Sequence, residues 1–571
     1  MNKTDWYKHA VIYQIYPFSY MDANNDGVGD IKGILSKLDY IKGLGVNAIW
    51  FSPLYDSPNN DYGYDVRDYK KISPTFGTMD EFKELLSECH KRDIKVVMDM
   101  VLNHTSNEHK WFTEAIKDKD SKYRDYYIIR KGRKRGNKYI APNNWTSTFT
   151  GSAWEKIEGT DEFYLHLFTK EQPDLNWDNP KVREEAQNIL KFYLDMGVDG
   201  FRFDVFNVFS KVEGLPNDHN PFAIPKGGKY YIDGPKMHEY LHELNNKSYG
   251  NYDSMTVGES FTPSKEDALR YVDKNNEEVD MLFNFAHLVS DNKFGLKFFK
   301  KKFNIMQFKD GFFGPQNDYY NNGWNSLVLE NHDNPRSISR FSLNSKEFRY
   351  ECATMLALIM FMGFGTPFIY QGEEIGMTNV EFSNLDEMKD PVSHFVYNLG
   401  MKIFHSHKKV FNMVSYGSRD HARVPMQWDD SVNAGFNTGA TPWMMVNPNY
   451  KEINVLKDLE SDKSIYKFYQ KVFKLREEKD AIIYGRVKEY SHNNKNLIAY
   501  SRIYKGVEYF IIGNFKDKKI KYKFPKTFNN HSLSSLLSNY TNTSIKDGSI
   551  TLYPYQATIY EVKENINENW I

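Results

Sequence analysis

Short apolar runs typical of buried strands alternate along most of this chain with amphipathic segments typical of helices. The strand candidates are residues 11–16, 48–52, 95–102, 200–206, 255–259, 281–285, 326–329 and 367–371. Helix candidates between them include residues 34–44, 79–92, 182–196 and 348–362. Because parallel strands need crossover helices, eight such units predict an α/β fold, a (β/α)8 TIM barrel. The active site of such a barrel lies at the carboxyl ends of its strands.

Two regions break this alternation, and 571 residues are too many for one ordinary core. A stretch rich in Gly, Asn, Lys and Trp fits a small domain inserted after strand 3. Near the C-terminus, short strands with turns predict an antiparallel β-sandwich, and residues 519–524 alternate like a half-buried strand. The predicted domains are residues 1–104 and 175–481 for the barrel, 105–174 for the insert and 482–571 for the sandwich.

The charge balance and cysteine content narrow the partners and the compartment. The formal net charge is −1 and the isoelectric point about 7.0, which gives no reason to expect nucleic acid or an anionic membrane as a partner. Cys89 and Cys352 form neither a disulfide framework nor a CxxC motif. The first 13 residues contain no long apolar stretch, and the apolar run 353–364 is shorter than the roughly 20 residues of a membrane span. We expect a cytoplasmic monomer.

Five segments end or flank these apolar runs with acidic or His side chains. They are residues 61–65 (DYGYD), 99–104 (DMVLNH), 200–205 (GFRFDV), 257–260 (VGES) and 330–333 (ENHD). A charge at a buried strand tip costs free energy unless it is paired with an opposite charge or has a role in binding or catalysis. Strand tips of a barrel meet at one face, so the pattern predicts a pocket with several carboxylates, as glycosidic bond cleavage requires.

Asp204 and Glu259 are the leading pair of carboxylates. Retaining glycosidases use one carboxylate as nucleophile and one as acid/base, about 5–5.5 Å apart. Arg202 shares a strand face with Asp204 and is predicted to hold it ionised, whereas desolvation should keep Glu259 protonated near neutrality. The alternative is a structural Arg–Asp pair and an ordinary loop Glu. Together with Asp333, the pair favours catalysis.

The remaining polar side chains of these segments are candidate sugar ligands. Asp333, next to His332, could bind sugar hydroxyls and favour an oxocarbenium-like transition state. His104 could donate a hydrogen bond, or it could be a satisfied core histidine. Tyr64 offers an aromatic platform. Arg423 could clamp Asp61 or a hydroxyl, or form a surface ion pair of little energetic value.

Two further motifs have alternative interpretations. Residues 22–30 (DANNDGVGD) place oxygen donors at alternating positions around glycines, which suits Ca²⁺ in a structural role. The motif resembles the first half of an EF-hand loop, but position twelve is Gly33 rather than Glu, and the alternative is an Asx-rich turn. The basic run 130–138 is either a solvated loop or a surface that attracts a phosphorylated sugar.

In combination, these motifs resemble a known family. Residues 99–104, 200–205, 259 and 331–333 resemble the four signature regions of the α-amylase family, glycoside hydrolase family 13. Residues 172–177 (QPDLNW) resemble the fifth region of its oligo-1,6-glucosidase subgroup, to which residues 370–379 and 423–428 are also similar. The similarity extends from Trp6 into the C-terminal sandwich.

The resemblance implies roles for individual residues. It implies that Asp204 is the nucleophile, Glu259 the acid/base and Asp333 the transition-state stabiliser. The residues implied to hold the terminal glucose are Asp61, Tyr64, His104, Arg202, His332 and Arg423. The implied calcium ligands are Asp22, Asn24, Asp26, Val28 through its carbonyl, and Asp30. Implied substrates are short α-glucosides, attacked at the non-reducing end.

The linkage depends on the neighbours of the catalytic residues. In this subgroup, Val after the nucleophile goes with α-1,6 activity, and Val205 has that place. Glu330 and Asn334 depart from the isomaltase pattern, and Asn334 resembles sucrose isomerases, whose Arg-rich motif the segment 282–292 lacks. Hydrolysis of α-1,6-linked substrates therefore ranks first, with trehalose-6-phosphate hydrolase and sucrose isomerase as alternatives. A non-catalytic amylase-like domain is disfavoured, because the chain keeps all three carboxylates.

Overall fold

Eight parallel strands form a barrel in this computed structural model, which describes residues 3–149, 151–261, 263–342, 346–529, 531–541 and 545–564. The strands are β1 (Ile12–Ile15), β2 (Ala48–Phe51), β3 (Lys95–Met100), β4 (Gly200–Phe203), β5 (Met255–Gly258), β6 (Met281–Leu282), β7 (Ser326–Val328) and β8 (Thr366–Tyr370). Their order is β6-β5-β4-β3-β2-β1-β8-β7, and a parallel bridge between Leu282 and Asn325 joins β6 to the start of β7. The predicted barrel is confirmed.

Helices connect and surround these strands. They are α1 (Ile31–Leu35), α2 (Leu38–Gly43), α3 (Met79–Lys91), α4 (Lys110–Lys117), α5 (Pro180–Met196), α6 (Met237–Lys247), α7 (Lys265–Val272), α8 (Ile305–Tyr319), α9 (Ser337–Phe341), α10 (Arg349–Phe361), α11 (Pro391–Phe404), α12 (His407–Gly417), α13 (Asp420–Arg423), α14 (Val455–Glu460), α15 (Ile465–Glu478) and α16 (Asp480–Tyr484). None of the described helices has the length and apolar character needed to cross a membrane.

Local sequence explains most helix ends. Thr78 and Glu81 form a reciprocal capping box at the start of α3. Helix α5 begins with Asn179 as N-cap and ends at Gly197, whose φ of 108° only glycine adopts readily. The predicted helix 34–44 is instead the two helices α1 and α2. The Ser36 hydroxyl between them donates to the Gly33 carbonyl, a local bond that competes with the helical pattern.

The insert after β3 contains α4 and short antiparallel strands. These strands are Ile129–Lys131, Arg133–Arg135, Lys138–Ile140, Trp154–Lys156 and Glu162–Leu165. The insert's buried cluster includes Trp145, Trp154 and Phe168, together with Val205 and Val208 from the segment after β4. This packing brings the insert against the carboxyl end of the barrel. The basic run forms an exposed hairpin.

The C-terminal region is built from antiparallel strands. They are β9 (Arg486–Glu489), β10 (Leu497–Tyr504), β11 (Val507–Asn514), β12 (Ile520–Lys523), β13 (His531–Ser538), β14 (Ile545–Lys546), β15 (Ser549–Leu552) and β16 (Ala557–Glu564). One sheet has the order β9-β10-β11-β16-β13 and the other β12-β15-β14. Side chains from both sheets, such as Phe510 and Ile550, share one buried cluster, as the predicted sandwich requires.

Candidate active site

A single buried arginine organises the carboxylates at the strand tips. Arg202, on β4, is 1% exposed. Its Nη1 donates to Asp99 Oδ1 at 2.6 Å and to Asp204 Oδ1 at 2.8 Å, and its Nη2 contacts Glu259. The sequence predicted Arg202 as the partner of Asp204 alone. The structure gives it three carboxylates, because β3, β4 and β5 are neighbours in the barrel.

Asp204 and Glu259 have shifted pKa values. Burial raises the pKa of Glu259 to about 7, Arg202 opposes the rise, and a hydrogen bond between the Glu259 and Asp204 carboxyls adds to it. Burial likewise raises the pKa of Asp204 to about 7, although Arg202 lowers it. Arg202 favours the ionised form of Asp204, as expected, but burial and the nearby carboxylates outweigh that one charge in setting the direction of the shift. The pair is suited to holding one proton between two carboxyl groups.

Asp333 has the opposite electrostatic environment. Arg423 Nη2 donates to Asp333 Oδ1 at 2.9 Å, and Arg419 Nη1 donates to the same oxygen at 3.3 Å. Burial raises the pKa of Asp333, but the permanent charges of Arg419 and Arg423 oppose it, and the pKa stays well below its ordinary value. Asp333 is therefore ionised at any pH at which Glu259 exchanges its proton.

His332 is fixed between two barrel side chains. Its Nδ1 lies 2.7 Å from Gln14 Nε2, and its Nε2 lies 2.7 Å from the Tyr64 hydroxyl. The Tyr64 and His332 rings stack, with centroids 5.5 Å apart. Burial lowers the pKa of His332 to about 3, so the ring is neutral near pH 7.

The three candidate catalytic carboxylates, Asp204, Glu259 and Asp333, line a cavity of about 180 Å³ at the carboxyl end of the barrel. Its lining comprises Asp61, Tyr64, His104, Phe149, Phe168, Gln172, Asp204, Val205, Glu259, Phe261, Lys297, Asp333, Val392 and Arg419. The cavity is smaller than the roughly 300–1,000 Å³ of sites for drug-sized ligands. Its size and its mixture of carboxylates and aromatic rings suit one sugar ring.

The insert completes one wall of this cavity. Gln172 Nε2 donates to Asp61 Oδ2 at 3.2 Å and lies 3.2 Å from His104 Nε2. Burial lowers the pKa of His104 to about 4. His104 is 1% exposed and its Nε2 also lies 3.1 Å from the Tyr64 carbonyl, so it is both a satisfied buried histidine and part of the cavity wall.

The arginine beside Asp61 is Arg419, which corrects the proposed Asp61 clamp by Arg423. Arg419 Nη2 lies 3.3 Å from Asp61 Oδ1 and 2.8 Å from Asp390 Oδ1. Arg423 lies behind Asp333, with Nε donating to the His332 carbonyl at 3.1 Å. It is buried, so the surface ion pair is wrong as well. Arg419 lies four residues earlier in the same SRDHAR segment, and sequence reasoning missed it.

Sequence reasoning also missed two lysines, the half-buried Lys297 and the buried Lys211. Lys297, in the loop after β6, lines the cavity; burial lowers its pKa to about 8 against the opposing charges of Asp390 and Asp333. Lys211 Nζ donates to Asn103 Oδ1 at 3.0 Å and lies 2.7 Å from Asp174 Oδ2, which ties the end of the insert to the barrel. Neither lysine belongs to a recognisable motif, so only the folded structure, which brings them close to the candidate site, could reveal them.

Glu330 and Asn334, the two residues that depart from the isomaltase pattern, lie in the segment after β7, and the structure explains both. Glu330 is buried and accepts from Arg336 Nη1 at 2.9 Å and from the Ser337 backbone N–H at 2.8 Å. Asn334 Nδ2 donates to Asn331 Oδ1 at 2.8 Å. Among the described residues that line the cavity, neither Glu330 nor Asn334 is present. Both residues shape the loop that carries Asp333.

The candidate calcium loop is closed by its own hydrogen bonds. Asp22 accepts backbone N–H groups of Asn25 at 2.6 Å and Gly27 at 2.8 Å, and Asp30 accepts those of Ala23 and Gly33. These are the contacts of an Asx-rich turn. No group of three or more His, Cys, Asp or Glu in the described ranges is placed to hold a metal ion. The oxygen-only donors still have the chemistry that Ca²⁺ prefers.

Comparisons with known proteins agree with this geometry. The family model described as alpha amylase, catalytic domain, matches residues 14–485, and the alpha-amylase SusG C-terminal domain matches residues 497–559. The chain is 46% identical over 560 residues to the oligo-1,6-glucosidase of Bacillus cereus, covering 98% of this chain and 99% of that one. The solved trehalose-6-phosphate hydrolase of Bacillus licheniformis is 41% identical, with a TM-score of 0.92 and coverage of 99% and 100%. For the isomaltulose synthase of Erwinia rhapontici NX5 the identity is 38%, the TM-score 0.93 and the coverage 98% and 99%.

Proposed function

Because this chain belongs to the α-amylase family, glycoside hydrolase family 13, we propose that it is a retaining, exo-acting α-glucosidase. Its substrates would be short α-glucosides, above all α-1,6-linked ones such as isomaltose, isomaltulose and isomalto-oligosaccharides. One observation carries the proposal: Asp204, Glu259 and Asp333 line one small cavity beside Arg202. Full-length relatives named oligo-1,6-glucosidase support the linkage.

The two carboxyls with raised pKa values divide the reaction between them. Asp204 attacks the anomeric carbon while Glu259 gives its proton to the glycosidic oxygen, so the C–O bond breaks and a covalent glucosyl-enzyme forms. Glu259, now ionised, takes a proton from water, which displaces Asp204 and releases glucose with the α configuration. Arg202 contacts both carboxylates and stabilises whichever is charged.

The remaining cavity residues would bind the terminal glucose. Asp333, held ionised by Arg419 and Arg423, would accept sugar hydroxyls and stabilise positive charge at the ring. His104 and His332 are neutral, so each can both donate and accept a hydrogen bond. The small volume of the cavity, which suits one sugar ring, supports attack on chain ends.

A second candidate has one specific observation in its favour. The Lys297 ammonium lines the cavity, and such a charge suits the phosphate of trehalose 6-phosphate. A relative of Bacillus subtilis named trehalose-6-phosphate hydrolase is 41% identical. Rearrangement of sucrose, as in isomerases, is the third candidate on this scaffold.

A panel of five substrates separates these candidates. We expect kcat/KM to be about tenfold or more higher for isomaltose and isomaltulose than for maltose and sucrose, since α-1,6 specificity is a difference in how tightly the transition states of these substrates are bound. Products are identified by chromatography and NMR. Dominant release of glucose 6-phosphate from trehalose 6-phosphate, or of isomaltulose from sucrose, would overturn the α-1,6 assignment.

We propose that Ca²⁺ binds the loop 22–30 in a structural role through Asp22, Asn24, Asp26, the Val28 carbonyl and Asp30. Asp26 is exposed and bonds only within the loop. A hundredfold excess of Ca²⁺ over its Kd would add about 2.7 kcal/mol of stability.

Thermal unfolding tests this calcium site. Ca²⁺ should raise the unfolding temperature relative to EDTA, and D26N should shrink that difference because it removes one ligand charge. D80N, an exposed carboxylate outside the loop, is the matched control. Equal unfolding temperatures with Ca²⁺ and EDTA would leave the Asx-rich turn as the role of the loop.

We propose that the protein is a cytoplasmic monomer. The two buried free thiols, Cys89 and Cys352, need no oxidising compartment, which supports a cytoplasmic location. A monomer is expected, and size-exclusion chromatography with light scattering measures it.

A further inference from the structure

The residue after the proposed nucleophile has an unfavourable backbone conformation. Val205 lies at φ 34° and ψ 42°, in the left-handed region. Among the described non-glycine residues with positive φ, Val205 is the one with a β-branched side chain. Such a conformation costs free energy and persists only where surrounding contacts enforce it.

Backbone hydrogen bonds fix the chain on both sides of Val205. The Asp204 N–H donates to the Met100 carbonyl on β3 at 3.0 Å. The Glu259 N–H donates to the Phe203 carbonyl at 2.9 Å, and the Phe206 N–H donates to the Glu259 carbonyl at 3.1 Å. The backbone of Glu259 is therefore bonded to Phe203 before the turn and to Phe206 after it, and Asp204 and Val205 form the turn between them. The left-handed residue lets the chain return to Glu259 within three residues of leaving β4.

The packing of the Val205 side chain adds to these hydrogen bonds in keeping the turn from relaxing. It is 9% exposed and belongs to the insert's buried cluster with Phe168 and Val208. Rotating the backbone to an ordinary φ would pull this side chain out of the cluster and break the Phe206 to Glu259 bond. Packing in the insert therefore opposes the local preference of valine.

We propose that Val205 is a positioning residue whose enforced left-handed backbone sets the Asp204 carboxyl against that of Glu259. The proposal rests on the proposed α-glucosidase function and adds a role for the backbone at this position. It also gives the insert a task in catalysis, because the insert's cluster holds the turn. The reaction needs these groups within a fraction of an ångström, since a misplacement of 1 Å can cost about 100-fold in rate.

Three variants separate the effects of backbone strain, of side-chain packing and of the backbone conformation at position 205. V205A removes the packing of the side chain, while the backbone hydrogen bonds of Asp204, Glu259 and Phe206 still hold the chain path. V205G also removes the penalty for positive φ, so it should unfold at a higher temperature than V205A; at an ordinary loop site glycine is the less stable. V205P fixes φ near −65°, which the turn cannot accept. Within the described residues no hydrogen bond uses the Val205 N–H, so proline removes none.

Kinetics on an aryl α-glucoside decide the positioning role. V205P should lose about 100-fold or more in kcat relative to V205A, with KM little changed, because Asp61 and His104, which are proposed to bind the sugar, lie on other segments. Circular dichroism checks that each variant is folded. Two results would overturn the proposal: a V205P enzyme with the same kcat as V205A, or a V205G enzyme with a lower unfolding temperature than V205A. If V205P does not fold, the comparison of the V205G and V205A unfolding temperatures is the test. Failure of the wild type on every α-glucoside would instead refute the proposed function.

Discussion

Replacing Asp204 by Asn should lower kcat on isomaltose by about 10⁵-fold, because the amide cannot form the covalent glucosyl intermediate. The effect on folding should be small, since Asn has the same shape and burial disfavours the charged form of Asp204. Steady-state kinetics and thermal unfolding measure the two effects separately.

D199N is the matched control for D204N. Asp199 directly precedes the same strand, β4, at the opposite end of the barrel, where it is paired with Lys95 and His90. This variant should lose stability and keep turnover. A D204N enzyme that retains more than about a hundredth of wild-type activity would contradict the nucleophile assignment.

The configuration of the first product tests the same pairing independently. NMR during early turnover should show α-glucose, because two displacements at the anomeric carbon retain its configuration. In D204A, azide should take the place of the missing carboxylate and give β-glucosyl azide. Early β-glucose from the wild-type enzyme would mean an inverting reaction and a wrong pairing of Asp204 with Glu259.

Replacing Glu259 by Gln should have an effect that depends on the leaving group. For isomaltose, whose leaving alkoxide needs a proton, kcat/KM should fall by about 10²–10⁴-fold. For nitrophenyl α-glucoside, whose leaving group needs little help, the fall should be much smaller. Deglycosylation then becomes slow, so a burst of nitrophenol should precede the steady state.

The pH profile adds a second measure of Glu259. Its pKa of about 7 means that the proton needed for bond cleavage is present below pH 7 and is lost as the pH rises above it. Wild-type kcat/KM should therefore decline on the alkaline side, and E259Q should lack that decline. E278Q, which changes a buried glutamate paired with His238, should keep the wild-type profile. Equal losses for both substrates in E259Q would argue against an acid/base role.

Local sequence patterns identified the strands and their functional ends because each pattern reflects one short segment. Alternating apolar runs and amphipathic helices predicted the barrel, and parallel strands must present their carboxyl ends at one face. That rule alone placed Asp204, Glu259 and Asp333 together, and the structure puts all three in one cavity.

Details that depend on contacts between distant segments could not be predicted in the same way. The choice of Arg419 over Arg423 beside Asp61 joins residues more than 350 positions apart. Lys297 belongs to a loop without a motif, and its role follows only from what lies across the cavity. The direction of the pKa shift of Asp204 could not be predicted from Arg202 alone, because burial and the carboxylates of other segments outweigh that charge.

The sequence by itself thus determined the fold class and the set of candidate catalytic carboxylates, since the first follows from periodicity and the second from the cost of placing charges at buried strand tips. Tertiary structure alone decided how those groups are ionised, which cations face them and how the chain turns at Val205. Each of these properties depends on the combined effect of many residues that become neighbours only after folding. Packing in the insert even imposes a backbone conformation that valine disfavours.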